Sequence, residues 1–128
     1  MIKSLNPATI PAPSGSYVHG LDVPPNARLL FIAGQTPGRM DGSIPKTFDE
    51  QIEVVWQLIG AILKEAGMGY QDLVKVQTFV TKPEYLAATS EVRKRVLAGH
   101  RPTATLMCIT QLAHPDYMVE IEEIGRAH

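Results

Sequence analysis

The order in which helical and strand-like segments follow one another restricts the fold of this chain more than any single motif. Two segments of helical periodicity, 47–66 and 83–97, alternate with short apolar segments that are typical of strands. The predicted strands are 17–21, 28–33, 73–81, 103–110 and 117–124. This β-β-α-β-α-β-β order predicts an α+β fold in which two helices cover one face of a five- or six-stranded mixed sheet.

The first helix has the clearest signal. Thr47 is a suitable N-cap residue, Glu50 three residues later completes the pattern of a capping box, and Gly67 suits the position just past the end. Apolar side chains recur at spacings of three and four, as expected for one buried helix face: Ile52, Val55, Trp56, Ile59, Ile62, Leu63 and Ala66.

The second helix is predicted to begin at Pro83 and to stop at Gly99. Its predicted inner face consists of Tyr85, Thr89, Val92 and Val96. Segment 111–116 predicts a hairpin connection between the last two strands.

The strands carry apolar residues on both faces, although two helices can cover only one. Segment 103–110 places Leu106 and Cys108 on one side and Met107 and Ile109 on the other. The uncovered apolar face must contact something, so we expect a homo-oligomer of closed cyclic symmetry whose sheets face inward.

Length and charge limit the class of protein. A chain of 128 residues is predicted to form one domain, 1–128, in which the Pro-rich segment 1–16 is an extended arm without regular structure. Twelve Lys and Arg against thirteen Asp and Glu argue against a protein that coats nucleic acid or an anionic membrane. No apolar run reaches the length of a membrane helix, so we expect a cytoplasmic protein without a membrane partner.

Few residues suggest chemistry by themselves. The four histidines are scattered without ligand spacing, so we expect no metal site and no cofactor. Cys108 is interpreted as a buried, inert thiol rather than a nucleophile, because apolar neighbours raise a thiol pKa. The consecutive cations Arg93, Lys94 and Arg95 fan around a helix, which indicates a solvated face rather than a nucleic-acid contact.

Glu120 is the strongest candidate for catalysis. It lies between Val119 and Ile121 in a strand expected to be central or near a subunit boundary, and Glu122 shares its face. Desolvation and mutual repulsion can raise the pKa of such carboxyl groups, and a carboxylate of this kind can activate water. The alternative is that both belong to the exposed polar face of an amphipathic strand.

Several short motifs together resemble those of the RidA/YjgF family, the reactive-intermediate deaminases, which are also described as L-PSP-type endoribonucleases. The motifs cover residues 15 to about 124, in this order: GSYV at 15–18, Gly20, FIAGQTP at 31–37, Gln51, EAG at 65–67, VK at 74–75, FV at 79–80, Pro102 and VEIE at 119–122. The resemblance implies a chorismate-mutase-like fold and a trimeric barrel with clefts between subunits.

The resemblance also implies site residues. In the deaminase members, a cleft binds a small 2-imino or enamine acid, and water replaces the imine nitrogen to give a 2-keto acid and ammonia. Here Tyr17 would orient the substrate, the Gly34 amide would hold a polar atom, and Glu120 would direct water. The main chain around Thr105 and Leu106 would line the cleft.

The chain departs from the family at the substrate clamp. The family arginine that grips the substrate carboxylate, two residues after Pro102, is Ala104 here, and the Ser that usually precedes the Gly-Gln pair is Ala33. Arg101 could replace the missing arginine if Pro102 changes the strand parity; otherwise it faces solvent or an interface.

The resulting functional prediction is a deaminase of reactive enamines or imines with atypical specificity, because Ala104 replaces the arginine. One alternative is a non-catalytic trimer that binds a small ligand or a partner. An endoribonuclease is the weaker alternative, since the chain lacks a convincing His pair or a basic aromatic surface.

Overall fold

The computed structural model describes residues 2–127. Over this range the chain forms six strands, two helices and two short 3₁₀ turns, at Tyr70–Asp72 and Pro83–Tyr85. In chain order the elements are β1 (Lys3–Leu5), β2 (Gly20–Asp22), β3 (Arg28–Gln35), α1 (Phe48–Glu65), β4 (Leu73–Val80), α2 (Leu86–Leu97), β5 (Thr103–Cys108) and β6 (Val119–Ala127).

The main sheet has four strands in the order β3-β6-β4-β5. The β4–β5 pair is parallel, whereas β6 is antiparallel to both β3 and β4. Both helices contribute to the core on one face, where residues of α1 pack on Val76 and Val80 of β4 and on Ile121 of β6. The predicted α+β class with two helices on a mixed sheet is confirmed.

The expectation of one five- or six-stranded sheet is wrong, because the N-terminal strands form a sheet of their own. Lys3–Leu5 pairs antiparallel with Gly20–Asp22, so segment 1–16 is not free of regular structure, and Tyr17 precedes a strand instead of starting one. Pro24 and Pro25 stand just beyond β2, after Val23, and lack the N–H groups that longer pairing would need.

The predicted hairpin between the last two strands is also wrong. β5 is the edge strand and pairs with β4 alone, while β6 inserts between β3 and β4. The central position suits β6 because Val119 and Ile121 are fully buried on its helix side. Glu120 therefore lies on a central strand, as predicted.

Helix α1 forms where its pattern predicts. Thr47 Oγ1 accepts a hydrogen bond from the Glu50 N–H at 3.2 Å. The Glu50 carboxylate faces Arg39 at 3.4 Å, so only half of the predicted capping box is present. Gly67 adopts φ +72°, a left-handed conformation that favours glycine after a helix end.

Helix α2 buries the predicted face and adds two residues to it. Thr89 is buried, and Tyr85, Val92 and Val96 are half-buried and pack against the core, as predicted. Arg93 and Leu97, one and two turns after Thr89, are buried on the same side. Arg93 thus does not belong to a solvated face.

Gln51 connects three segments beneath the end of β6. Its side chain is fully buried; Nε2 donates to the carbonyls of Pro45 at 3.0 Å and Asp116 at 2.8 Å, and Oε1 accepts from the Met118 N–H at 2.8 Å. These bonds fix the loops that precede α1 and β6.

Replacing Gln51 with Leu is expected to lower the free energy of unfolding by about 3 kcal/mol, because three backbone groups lose buried partners. Urea unfolding measures the change. Gln57→Leu, at an exposed position of the same helix, is the matched control and should differ little from wild type. Equal stability of the two variants would contradict this role for Gln51.

Candidate functional site

Glu120 and Gly34 meet on the sheet face that the helices do not cover. The β3–β6 register shifts between Ile32 and Gln35, which makes an irregularity at Ala33 and Gly34. A Cβ built on Gly34 would lie 2.8 Å from Glu120 Cδ and would overlap the carboxylate. Only glycine therefore lets the Glu120 carboxylate rest against the β3 main chain.

The environment of Glu120 changes its acidity. The residue is half-buried. Burial raises the pKa of the Glu120 carboxyl above its ordinary value, and the charge of Glu122 raises it further. A carboxyl with a raised pKa exchanges a proton with water more readily near neutral pH than an ordinary one.

Tyr17 and Ala104 belong to a second group, at the outer edge of β5. They border a cavity of about 300 Å³, which is lined by Tyr17, Val18, His19, Lys75, Thr103, Ala104 and Thr105. The Val18 N–H donates to the Pro102 carbonyl at 3.0 Å, which holds the arm against β5. Hydrogen bonds from Ser14 lower the pKa of the Tyr17 phenol.

The other predicted site residues are divided between this edge and the core. The Leu106 side chain packs against the hydrophobic core, so only its main chain is available to a ligand at the edge of β5. Arg101 is exposed, and its Nη1 donates to the Gly15 carbonyl at 3.4 Å, on the arm.

The two groups are too far apart to grip one small molecule within a protomer. Ala104 pairs with Val76 and Glu120 with Phe79, on opposite sides of β4. Three residues along a strand and two inter-strand spacings put their Cα atoms roughly 14 Å apart. A site that uses both groups needs a second copy of the chain.

The open sheet face offers a surface for such a copy. Phe31 is 72% exposed there and Leu29 is also exposed. A concavity of about 490 Å³ lies on this face, bordered by Phe31, Ile32, Ala33, Lys75, Gln77, Glu122, Glu123 and Ile124. An aromatic side chain this exposed on a strand is unusual for a surface that faces only water.

The sequence analysis did not identify two buried ionisable residues on the side of the sheet that the helices cover. Glu123 is 3% exposed, and neither carboxyl oxygen has a hydrogen-bond partner among residues 2–127. Burial raises the pKa of Glu123 to about 8. Its position two residues after Ile121, on the inward face of β6, was the signal that could have revealed it.

Arg93 is the other, at 6% exposure. Burial lowers the pKa of its guanidinium, and the nearby Tyr17 raises it. Its position four residues after Thr89, which was predicted to face inward, was the signal that could have revealed it. The predicted burial of Cys108 is wrong as well, because this thiol is exposed on the edge strand.

Residues 2–127 contain no group of three or more His, Cys, Asp or Glu side chains that could hold a metal ion. Within the same range, neither helix combines the length and the apolar character that crossing a membrane requires.

The mixed four-stranded sheet with two helices on one face is the fold of Rid proteins. The crystal structure of YyfB, a Rid-family protein from Yersinia pestis, superposes with a TM-score of 0.86 at 26% identity over 97% of both chains. The crystal structure of Escherichia coli TdcF with bound serine gives a TM-score of 0.74 at 28% identity, over 98% of this chain and 99% of that one.

Sequence comparison agrees with this class. Residues 8–126 match the family model described as Endoribonuclease L-PSP. The 2-iminobutanoate/2-iminopropanoate deaminase of Escherichia coli is 26% identical over 98% of each chain. The chain belongs to the RidA/YjgF family, as the resemblance implied.

Proposed function

We propose that the protein hydrolyses small reactive imines or enamines at a site shared between copies of the chain. The observation that carries the proposal is the half-buried Glu120 carboxyl, with its raised pKa, held against the Gly34 main chain on the open face. Water adds to the imine carbon while Glu120 takes up one of its protons and passes it to the nitrogen. The C–N bond then breaks as the new hydroxyl group gives its proton to the nitrogen, so ammonia leaves and the carbonyl forms. The product is a carbonyl compound, so one water is consumed for each ammonia released.

The proposed site joins Glu120 and Gly34 of one copy to the cavity of Tyr17 and Ala104 of another. The separation of roughly 14 Å within one protomer and the exposed Phe31 support this arrangement. In a closed trimer, one type of contact covers the open sheet face of every copy. We expect this assembly in the cytoplasm.

The remaining roles belong to the same proposal. Tyr17, which lines the cavity, orients the substrate. The edge strand β5 has backbone groups without a partner in the sheet, so the main chain at Thr105 and Leu106 is available to hold polar substrate atoms. The Gly34 amide performs the same task from β3.

Replacing Glu120 with Gln is expected to lower ammonia release by at least about tenfold, because the side chain keeps its shape but no longer accepts a proton. The assay supplies imines freshly generated from amino acids and follows ammonia and carbonyl product together. Glu91→Gln, at an exposed position of α2, is the control and should keep full activity. Unchanged turnover in Glu120→Gln would contradict the proposed role.

Ala104 favours a second candidate function, the binding of a small ligand without turnover. Ala104 lines the cavity beside Tyr17, and its side chain contributes no charge or polar atom. Escherichia coli TdcF, a relative with the same fold, was solved with bound serine. Thermal stabilisation by small amino or keto acids without ammonia release from any imine would support this function over hydrolysis.

A further inference from the structure

Arg93 carries a buried charge for which the described chain provides no acceptor. The residue is 6% exposed and lies on the face of α2 that packs inward. Its Nε is fully enclosed without a hydrogen-bond partner, and no hydrogen bond or ion pair joins the guanidinium to any residue from 2 to 127. The other arginine on this helix, Arg95, pairs with Glu53 on the surface.

Such an arginine is costly for the fold by itself. A guanidinium taken out of water loses hydration, and only a complementary anion or acceptor offsets this loss. An arginine that served packing alone would be replaced favourably by an apolar side chain of similar length. The retained charge therefore indicates a partner from outside the described chain.

The Arg93 guanidinium lies close to Gly15 and Tyr17. Arg93 Nη2 lies 3.9 Å from the point where a Gly15 Cβ would stand, and the Tyr17 ring lies 3.7 Å from the same point. The missing side chain of Gly15 thus leaves a gap bordered by Arg93 on one side and Tyr17 on the other. Tyr17 also lines the cavity at the edge of β5.

We propose that Arg93 binds the carboxylate of the ligand that occupies the Tyr17 cavity, and that it determines specificity for small 2-imino and 2-keto acids. A planar guanidinium matches a carboxylate with two parallel hydrogen bonds. This inference rests on the proposed function and narrows its substrate class. The cation comes from α2, so the alanine at position 104 does not remove carboxylate recognition.

The two other cations near the cavity are less suited to this task. Arg101 already donates to the Gly15 carbonyl from an exposed position. Lys75 borders the cavity but is exposed on the open face, where water screens its charge. Arg93 is the most strongly desolvated of the three, so an anionic partner stabilises its charge most.

The test measures binding rather than turnover. Calorimetric titration compares 2-oxobutanoate with 2-oxobutanamide, its uncharged analogue, on the wild-type oligomer and on Arg93→Met, Arg93→Lys and Arg95→Met. We expect wild type to prefer the acid by about tenfold or more, which corresponds to one charge-assisted hydrogen bond. Arg93→Met should lose this preference, Arg93→Lys should retain part of it, and Arg95→Met should behave as wild type.

Stability distinguishes a binding role from a structural one. Arg93→Met should unfold at the same temperature as wild type or a higher one, because it removes an uncompensated buried charge. A preference for the acid that survives Arg93→Met overturns the inference, as does a wild-type protein that binds neither compound or both equally. A preference lost only together with folding also overturns it, since Arg93 would then be structural.

Ammonia release separates this inference from the proposed function. A protein that binds 2-oxobutanoate through Arg93 but hydrolyses no imine supports the carboxylate site and refutes the hydrolysis. A protein that hydrolyses imines with an unchanged acid preference in Arg93→Met supports hydrolysis and refutes the carboxylate site.

Discussion

Replacing Glu123 with Gln is expected to stabilise the protein at pH 8 and to remove most of the wild type's loss of stability between pH 4.5 and pH 8. In the unfolded chain the Glu123 carboxyl ionises near its ordinary pKa of 4.5, whereas in the fold it stays protonated up to about 8. The unfolded state therefore gains favourable ionisation over this range and the folded state does not. The free energy of unfolding must fall as the pH rises, and must level off above pH 8.

The expected effect is large because the side chain is 3% exposed and has no hydrogen-bond partner among residues 2–127. The difference between the two pKa values corresponds to a loss on the order of 5 kcal/mol. Gln has nearly the same shape and no charge to desolvate, so the stability of the Glu123→Gln protein should fall much less with rising pH. The raised pKa of Glu120 leaves a smaller dependence of the same sign.

Urea unfolding at a series of pH values, at one fixed protomer concentration, measures the effect. Glu91→Gln, on the exposed face of α2, is the matched control and should follow the wild-type curve. Parallel curves for wild type and Glu123→Gln would show that this carboxyl does not control the pH dependence.

Replacing Phe31 with Glu is expected to dissociate the oligomer and to abolish imine hydrolysis. Phe31 lies on the open face, 72% exposed, beside the concavity that would receive another copy. A carboxylate at this position would be buried without a partner in every contact of a symmetric assembly, at a cost of several kcal/mol each. Loss of the contact separates Glu120 from the Tyr17 cavity, so ammonia release should fall at least about a hundredfold.

Met40→Glu provides the control, because Met40 is 106% exposed but lies in the loop before α1. It should keep both the mass and the activity of the wild type. Light scattering behind a sizing column gives the mass, and the ammonia assay is run on the same fractions. A Phe31→Glu protein that is monomeric and fully active would refute a site shared between copies.

Helix α1 shows what short-range sequence patterns can predict. Its cap at Thr47, its apolar stripe and its end before Gly67 depend on contacts within a few residues, and all three form as predicted. The predictions that failed concern segments whose partners in the fold lie far away in the sequence. The predicted hairpin of the last two strands failed because no local feature states that β6 pairs with β3 and β4 instead.

The candidate site also has features that local patterns predicted and features that depend on long-range contacts. The alternation of Val119, Glu120 and Ile121 was enough to predict a carboxyl group of raised pKa on a central strand, and burial with Glu122 raises that pKa. The sequence did not indicate that Gly34 makes room for this carboxylate. That contact joins residues 86 positions apart through the irregular register of β3.

By itself the sequence determined the α+β class, the helices and the family, because periodicity, caps and short motifs record local chemistry in the order of the residues. The tertiary structure alone decided that Arg93 and Glu123 are buried ionisable side chains and that the predicted site residues fall into two groups. Burial depends on what packs against a helix and on the partners of a strand. Both are set by packing between segments far apart along the chain.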